Sequence, residues 1–170
     1  MRGRRVPVPP DQTRPTSERA RQAFFNIVGQ RIEGARFLDL FAGSGVFSFE
    51  ALSRGASSST AIDQDRKAMS TVTRLAAEWS VNVEAMSADV ERTLSRLPGT
   101  YDIVYADPPY AFDGYDRLVK AIGSCVQPSP ESMVAIEHRR RSEPFQTVDG
   151  LLKPGRRAEY GEVWITFFQR

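Results

Sequence analysis

One cysteine, Cys125, and one histidine, His138, are all that the 170 residues supply of either type. An internal disulfide is therefore impossible, and no Cys/His cluster exists for a zinc, so no metal is expected. A lone thiol fits a reducing compartment, and the expected location is cytoplasmic. No apolar run is long enough to cross a bilayer, and the basic N-terminus lacks the apolar segment of a secretory signal, so no membrane partner is expected. Net charge is also small, +2 in all, but it is unevenly spread. Residues 1–31 hold seven arginines against Asp11 and Glu18, a net +5, which leaves −3 for the remainder. Such a front either steers a polyanion to one side of the molecule or is a solvated arm. The hydrophobic content, 41%, is ordinary and suffices at this length for a single domain over 1–170 with a sizeable core.

The chemistry is densest at Asp107-Pro108-Pro109-Tyr110. Residues 101–106 before it, YDIVYA, form a short apolar run with no helical period, the pattern of a buried parallel strand. The motif then stands at a strand's carboxyl end, where open α/β sheets bind ligands, and its prolines keep the backbone extended. Asp107 and the Pro108 carbonyl can accept the two N–H bonds of a nucleobase amine while the Tyr110 ring stacks on the base. A turn alone asks for neither the Asp nor the Tyr.

Along the chain, residues 1–16 read as an extended basic arm, too rich in proline for a helix or central strand. Thr16 offers an N-cap, and Ala20, Ala23, Phe24, Ile27 and Val28 recur at helical spacing, which predicts a helix over about 17–31 with Arg19 and Arg21 turned outward. A strand over 37–41 leads into Ala42-Gly43-Ser44-Gly45 and a helix ended by Gly55. Ser48 stands where a dinucleotide fingerprint has its third glycine, and Asp39 would repel a pyrophosphate, so the turn suits a cationic or amine-bearing ligand such as S-adenosylmethionine better than NAD. The next strand, 58–62, runs into Asp63-Gln64-Asp65. Asp63 is placed for ribose hydroxyls, and Asp65 reads as the cap of a helix whose core stripe is Ala68, Met69, Val72, Leu75, Ala76 and Trp79. A third strand, 83–86, brings Asp89 to where it can accept an adenine amino hydrogen, cap the helix that opens at Val90, or both. A helix over Leu118, Val119, Ile122 and Val126, a strand over 133–137 and a closing hairpin follow. His138 reads as a polar loop residue rather than a general base. Arg139-Arg140-Arg141 would share the motif's sheet edge, where they can hold phosphate or be solvated surface, with phosphate favoured.

Taken with the alternation of strands and helices over 37–168, the Asp39-Leu40-Phe41-Ala42-Gly43-Ser44-Gly45 and Asp107-Pro108-Pro109-Tyr110 motifs resemble the Rossmann-like, S-adenosylmethionine-dependent amino-methyltransferases. Within them the chain resembles the bacterial 16S rRNA guanine-N2 methyltransferase family. The likeness extends to Arg14-Pro15-Thr16, to Arg19, Arg21 and Phe25-Asn26, to Glu137, and to Tyr160-Gly161-Glu162. It implies an α/β fold with a seven-stranded, mostly parallel sheet whose last strand is antiparallel. It implies cofactor contacts at Asp39, Phe41, Gly43, Gly45, Asp63, Gln64, Asp89 and Val90, and a target amine at Asp107, Pro108, Pro109 and Tyr110. RNA would meet Arg2, Arg4, Arg5, Arg14, Thr16, Arg19, Arg21, Arg139 and Arg140. The implied substrate is 16S rRNA, within a small ribosomal subunit particle, and the implied enzyme is a monomer. Two departures stand out: many members carry a further strand before the arm, and many have glutamate where this chain has the shorter Asp63. Competing readings are an amino-methyltransferase acting on adenine or a protein amide, and a noncatalytic RNA-binding module.

Overall fold

The computed structural model describes residues 15–127, 129–139, 145 and 152–169, and of 15–17 the helical backbone alone. Arg2, Arg4, Arg5, Arg14 and Arg140 lie outside the described residues. The first helix, α1, is Pro15–Val28. Proline is tolerated in a helix's first turn because its missing N–H has no partner there anyway, so Thr16 lies inside the helix rather than capping it. The helix ends three residues short of the predicted Arg31, because Gly29 takes a φ of +56° and the chain tightens into a 3-10 turn, Gly29–Ile32.

Then follow β1 (Arg36–Leu40), α2 (Val46–Ser53), β2 (Ser58–Asp63), α3 (Arg66–Trp79), β3 (Val83–Ser87), α4 (Val90–Leu94), β4 (Ile103–Ala106), α5 (Tyr115–Gly123), β5 (Met133–Arg139), β6 (Lys153–Tyr160) and β7 (Val163–Gln169). The strands form one seven-stranded sheet in the order β3-β2-β1-β4-β5-β7-β6. All neighbours from β3 to β5 pair in parallel, and β7 runs antiparallel to both β5 and β6. The α/β sheet, mostly parallel with the last strand reversed, is as expected. Strand order reverses between β1 and β4, which opens a crevice at their carboxyl ends.

Period-two alternation sorts the core into two faces. Phe37, Ile103, Ala135 and Phe167 point to the side of α1, where Phe24, Phe25 and Val28 meet them, and Ala61 on the same side receives Met69, Val72 and Leu75 of α3. Leu38, Leu40, Val104, Ala106 and Ile136 point the other way, against Val90 and Leu94 of α4 and Leu118 and Ile122 of α5. The α3 stripe is core, as its spacing predicts, and Asp65 caps the helix by accepting from the Lys67 and Ala68 N–H groups at 2.8 and 3.1 Å.

Other boundaries differ too: the first strand ends at Leu40, so Phe41 belongs to the turn after it. Val126 is not helical: α5 stops at Gly123, and Val126 forms an isolated parallel bridge with Tyr101, so the run over 101–106 is only partly strand. Strand β5 continues past Glu137 to Arg139, because β7 pairs with it from Val134 to Arg139, the last opposite Val163. His138 is therefore a buried strand residue, 4% exposed, and not a loop residue. Its Nε2 lies 2.8 Å from the Thr166 hydroxyl.

Candidate active site

At the carboxyl end of β1 the backbone turns sharply. Phe41 adopts a left-handed φ of 59°, uncommon for a bulky residue, and Gly43 and Gly45 follow at 50° and 70°. The Gly43 N–H donates to Asp63 Oδ2 at 2.9 Å, and the Asp65 N–H to Asp63 Oδ1 at 2.8 Å, so one carboxylate ties the first turn to the second. Each of its oxygens keeps a second lone pair for a ribose hydroxyl. Ser44, buried within the turn, has a hydroxyl with no partner among the described residues. An orphaned polar atom of this kind marks a place where a polar ligand can complete the bonding.

Gly45 is fixed by space as well as by torsion: a Cβ there would sit 2.8 Å from Val72 Cγ2 of α3. Gly45→Ala should therefore destabilise the protein by roughly 2 kcal/mol, the left-handed cost plus the shift forced on Val72. Chemical denaturation measures it, and a wild-type midpoint would show that α3 yields freely.

Beneath the same turn, Asp39 is 2% exposed and its Oδ2 accepts from both the N–H and the hydroxyl of Ser48, at 3.0 and 2.7 Å. Sequence reasoning treated Ser48 only as a missing glycine, whereas it is the fully buried partner that holds Asp39 at the start of α2. Burial raises the Asp39 carboxyl from 3.8 to about 7; the two Ser48 bonds oppose the rise and the charge of Asp63 adds to it. Asp89 accepts from the Arg92 N–H at 2.9 Å as the cap of α4, with its side chain exposed beside the end of β3. Gln64 is exposed at the tip of β2. Val90 packs into the core, so only its backbone can face a ligand.

The Asp107 N–H continues the ladder to the Leu40 carbonyl at 3.3 Å. Pro108 is buried, Pro109 is exposed, and the Phe112 N–H takes the Pro109 carbonyl at 2.8 Å. The Pro108 carbonyl accepts no bond among the described residues. Tyr110 is 64% exposed, the one large hydrophobic residue so displayed among them. Phe41 meets Phe112 edge to face at 5.5 Å, which joins the first and fourth loops across the crevice.

One cluster was not anticipated. Tyr105, buried on the α1 side of β4, donates its hydroxyl to Glu137 Oε2 at 2.5 Å while Phe47 stacks on its ring at 3.9 Å. A phenol inside an apolar strand run needs a polar partner, and that need was the available signal. Because Ala106 is in register with Ile136, the next residues, Asp107 and Glu137, are neighbours at the sheet's edge. Protein surrounding Asp107, then the charges of Glu137 and Asp39, push its carboxyl upward. The residue as a whole is nonetheless exposed. Glu137 is raised by burial and held down by the Tyr105 hydroxyl. Asp107 thus stands exposed at the carboxyl end of β4, beside Glu137.

Of the expected RNA contacts, Arg19 is exposed on α1. Arg21 is instead engaged with Glu50 of α2 at 2.7 Å, and Glu50 also holds Arg54 at 2.8 Å. Arg139 lies at the end of β5 with its guanidinium carbon 4.1 Å from the centroid of the Tyr110 ring. A cleft of about 670 Å³ lined by Gly29, Gln30, Arg31, Asp102 and Glu131 opens at the opposite edge of the sheet and holds none of these residues. Among the described residues no His, Cys, Asp and Glu group could hold a metal, and no helix is long and apolar enough to cross a membrane.

The model of the family described as conserved hypothetical protein 95 matches residues 1–169. The ribosomal RNA small subunit methyltransferase D of Escherichia coli strain K12 is 37% identical over 171 residues, covering 99% of this chain and 86% of that protein. A solved Escherichia coli structure described as "Putative methyltransferase yhhF" superposes with a TM-score of 0.84 at 29% identity, over 99% of this chain and 93% of that one. The Thermus thermophilus 16S rRNA N2 G1207 methyltransferase RsmC, solved with AdoMet and guanosine, shares the fold, with a TM-score of 0.75 at 17% identity over 93% of this chain and 43% of its own.

Proposed function

This chain belongs to the family described as conserved hypothetical protein 95, and from that membership we propose that it methylates the exocyclic N2 amine of a guanine in 16S rRNA. The observation that carries the proposal is the tip of β4: exposed Asp107, a Pro108 carbonyl with no partner among the described residues and the displayed Tyr110 ring follow one another at the strand end next to the glycine turn. The donor is S-adenosylmethionine, which supplies a methyl group already activated on a sulfonium. The turn from Phe41 to Gly45 and the acids at the first three strand tips fit it, since Ser44 lacks a partner among the described residues and Asp63 keeps lone pairs. Asp39, Gln64, Asp89 and the Val90 backbone complete the set of cofactor contacts.

The chain's part is mostly to position an amine. A guanine amine's lone pair is delocalised into the ring. Acceptors at Asp107 and the Pro108 carbonyl favour its pyramidalisation and stabilise the charge that develops on nitrogen. Tyr110 offers a stacking face to a base that has left its own stack. The edge-to-face contact of Phe41 with Phe112 holds the first and fourth loops together beside this position. In this reading residues 1–170 act as a single methyltransferase domain with 1–16 as its basic extension, in the cytoplasm and as a monomer, on a small ribosomal subunit particle.

Nucleoside mass spectrometry of small-subunit RNA after incubation with protein and donor tests the substrate. N2-methylguanosine is expected, and methylated adenosine in its place would overturn the assignment. Calorimetric titration tests the cofactor separately: S-adenosylmethionine should bind and NAD should not. The net +5 over residues 1–31 gives a further expectation. Replacing Arg2, Arg4 and Arg5 with alanine should flatten the salt dependence of RNA binding by up to about 0.7 to 0.9 for each phosphate no longer neutralised, leaving cofactor affinity unchanged. An unchanged slope would identify the arm as a solvated tail.

A further inference from the structure

We infer that Arg139 is a positioning residue for Tyr110, holding one face of the ring so that the other is presented to the target base. The inference rests on the proposal that this ring stacks on a nucleobase. Tyr110 follows two prolines, which fix the backbone ahead of it but not its own side-chain torsions, and with 64% of its surface in water it has little packing to choose a rotamer. The guanidinium, 4.1 Å from the ring centroid, supplies the missing contact, because a planar, weakly hydrated cation lies well on an aromatic face. A base can then stack only on the face that Arg139 leaves open.

Arg139 is itself well placed to act as a brace. Its backbone closes β5 against Val163 of β7, and its carbonyl lies 3.2 Å from Nδ1 of His138. The Nε2 of the same ring lies 2.8 Å from the Thr166 hydroxyl on β7. The buried histidine, expected to be a loop residue, is thereby a strut: it ties the root of Arg139 to β7, and Arg139 reaches across to the tip of β4. Sequence reasoning gave Arg139 to phosphate, and the two roles differ measurably. A phosphate contact changes how binding depends on salt and is indifferent to the state of the Tyr110 ring. A brace does the reverse.

The test compares wild type with Arg139→Ala and Arg139→Lys in three measurements. They are the salt dependence of RNA binding, single-turnover methyl transfer at saturating RNA, and the fluorine resonance of 3-fluorotyrosine placed at position 110. Arg139→Ala should slow transfer about fivefold with the salt slope unchanged, in keeping with an exposed cation–π contact, and the fluorine signal should become motionally averaged. Arg139→Lys, which keeps the charge but not the plane, should recover only part of both. A slope reduced by about 0.7 to 0.9 with transfer and fluorine signal at wild-type values would make Arg139 a phosphate contact and overturn the inference. A fluorine signal insensitive to both substitutions would overturn it as well. Failure of the wild-type protein to methylate any RNA would instead remove the parent proposal, and the fluorine measurement reads the contact independently of that result.

Discussion

Asp107→Ala is expected to slow methyl transfer to small-subunit RNA by about a hundredfold to a thousandfold while leaving the fold intact. Removing one preorganised polar partner from a centre where charge develops costs roughly 3 to 4 kcal/mol of barrier. Here the partner is a carboxylate at the strand tip whose proton affinity is pushed up first by the protein around it and then by the charges of Glu137 and Asp39. The fold should survive because the Asp107 backbone N–H, not its side chain, continues the ladder to Leu40. Asp107→Asn is the sharper variant: it keeps an acceptor oxygen and the shape but removes the charge, so partial activity is expected. Its pH profile should also lose the limb that Asp107 contributes as its raised carboxyl ionises, while the titrations of Glu137 and Asp39 remain. Single-turnover transfer from radiolabelled donor, with circular dichroism to verify folding, measures both variants. Wild-type transfer by Asp107→Ala would mean that the motif is a structural turn and that the amine is held elsewhere.

The residues of this site were legible in unequal degree, for physical reasons. Strands and helices follow from hydrophobic period, so the α3 stripe and the alternation of Phe37, Leu38 and Leu40 are visible in the order of apolar and polar residues. A strand–turn–helix with glycines and a proline-stiffened strand tip are local signals as well. Contacts between elements distant in sequence leave no such trace. Tyr105 on Glu137 and Arg139 on Tyr110 each need the register of the sheet to bring them together. Arg21 shows the limit of reading a helix from one side. It was turned outward by spacing alone, yet α2 packs close enough to offer Glu50, and an arginine counted toward RNA is engaged inside the protein. His138 failed for a related reason: a histidine near a predicted strand end is polar by default, and only the pairing of β7 with β5 out to Arg139 buries it. The same pairing puts Arg139 in the strand itself, where the sequence placed it only at the sheet edge.

Asp39→Asn is expected to raise the stability of the ligand-free protein at pH 8 relative to wild type, and to give no such gain near pH 3. The Asp39 carboxyl titrates at about 7 in the folded chain against 3.8 as its ordinary value, chiefly because it is buried. Below 3.8 both folded and unfolded chains hold the proton, and Asp39 imposes no charge penalty. Between the two values the unfolded chain releases it and the folded chain keeps it, so stability falls as pH rises, and the loss is complete above about 7. One fully buried carboxyl shifted this far accounts for roughly 4 kcal/mol across the window, as an order of magnitude. Asparagine cannot ionise but can still accept from the Ser48 N–H and hydroxyl. Any cost of burying its amide hydrogens is independent of pH, so the change in slope between pH 4 and 7 is the diagnostic rather than the absolute stability. Asp107 and Glu137 are raised too and slope the same way, so the variant should keep part of the wild-type pH dependence. Urea denaturation across this range measures it, and parallel wild-type and variant curves would mean that Asp39 titrates normally. A carboxylate that costs the free protein stability at neutral pH, lodged under a glycine turn whose Ser44 hydroxyl has no partner among the described residues, is poorly explained as structure alone. The penalty would be offset by a cationic group bound at this edge, which is the charge that the amino and sulfonium groups of the proposed donor bring.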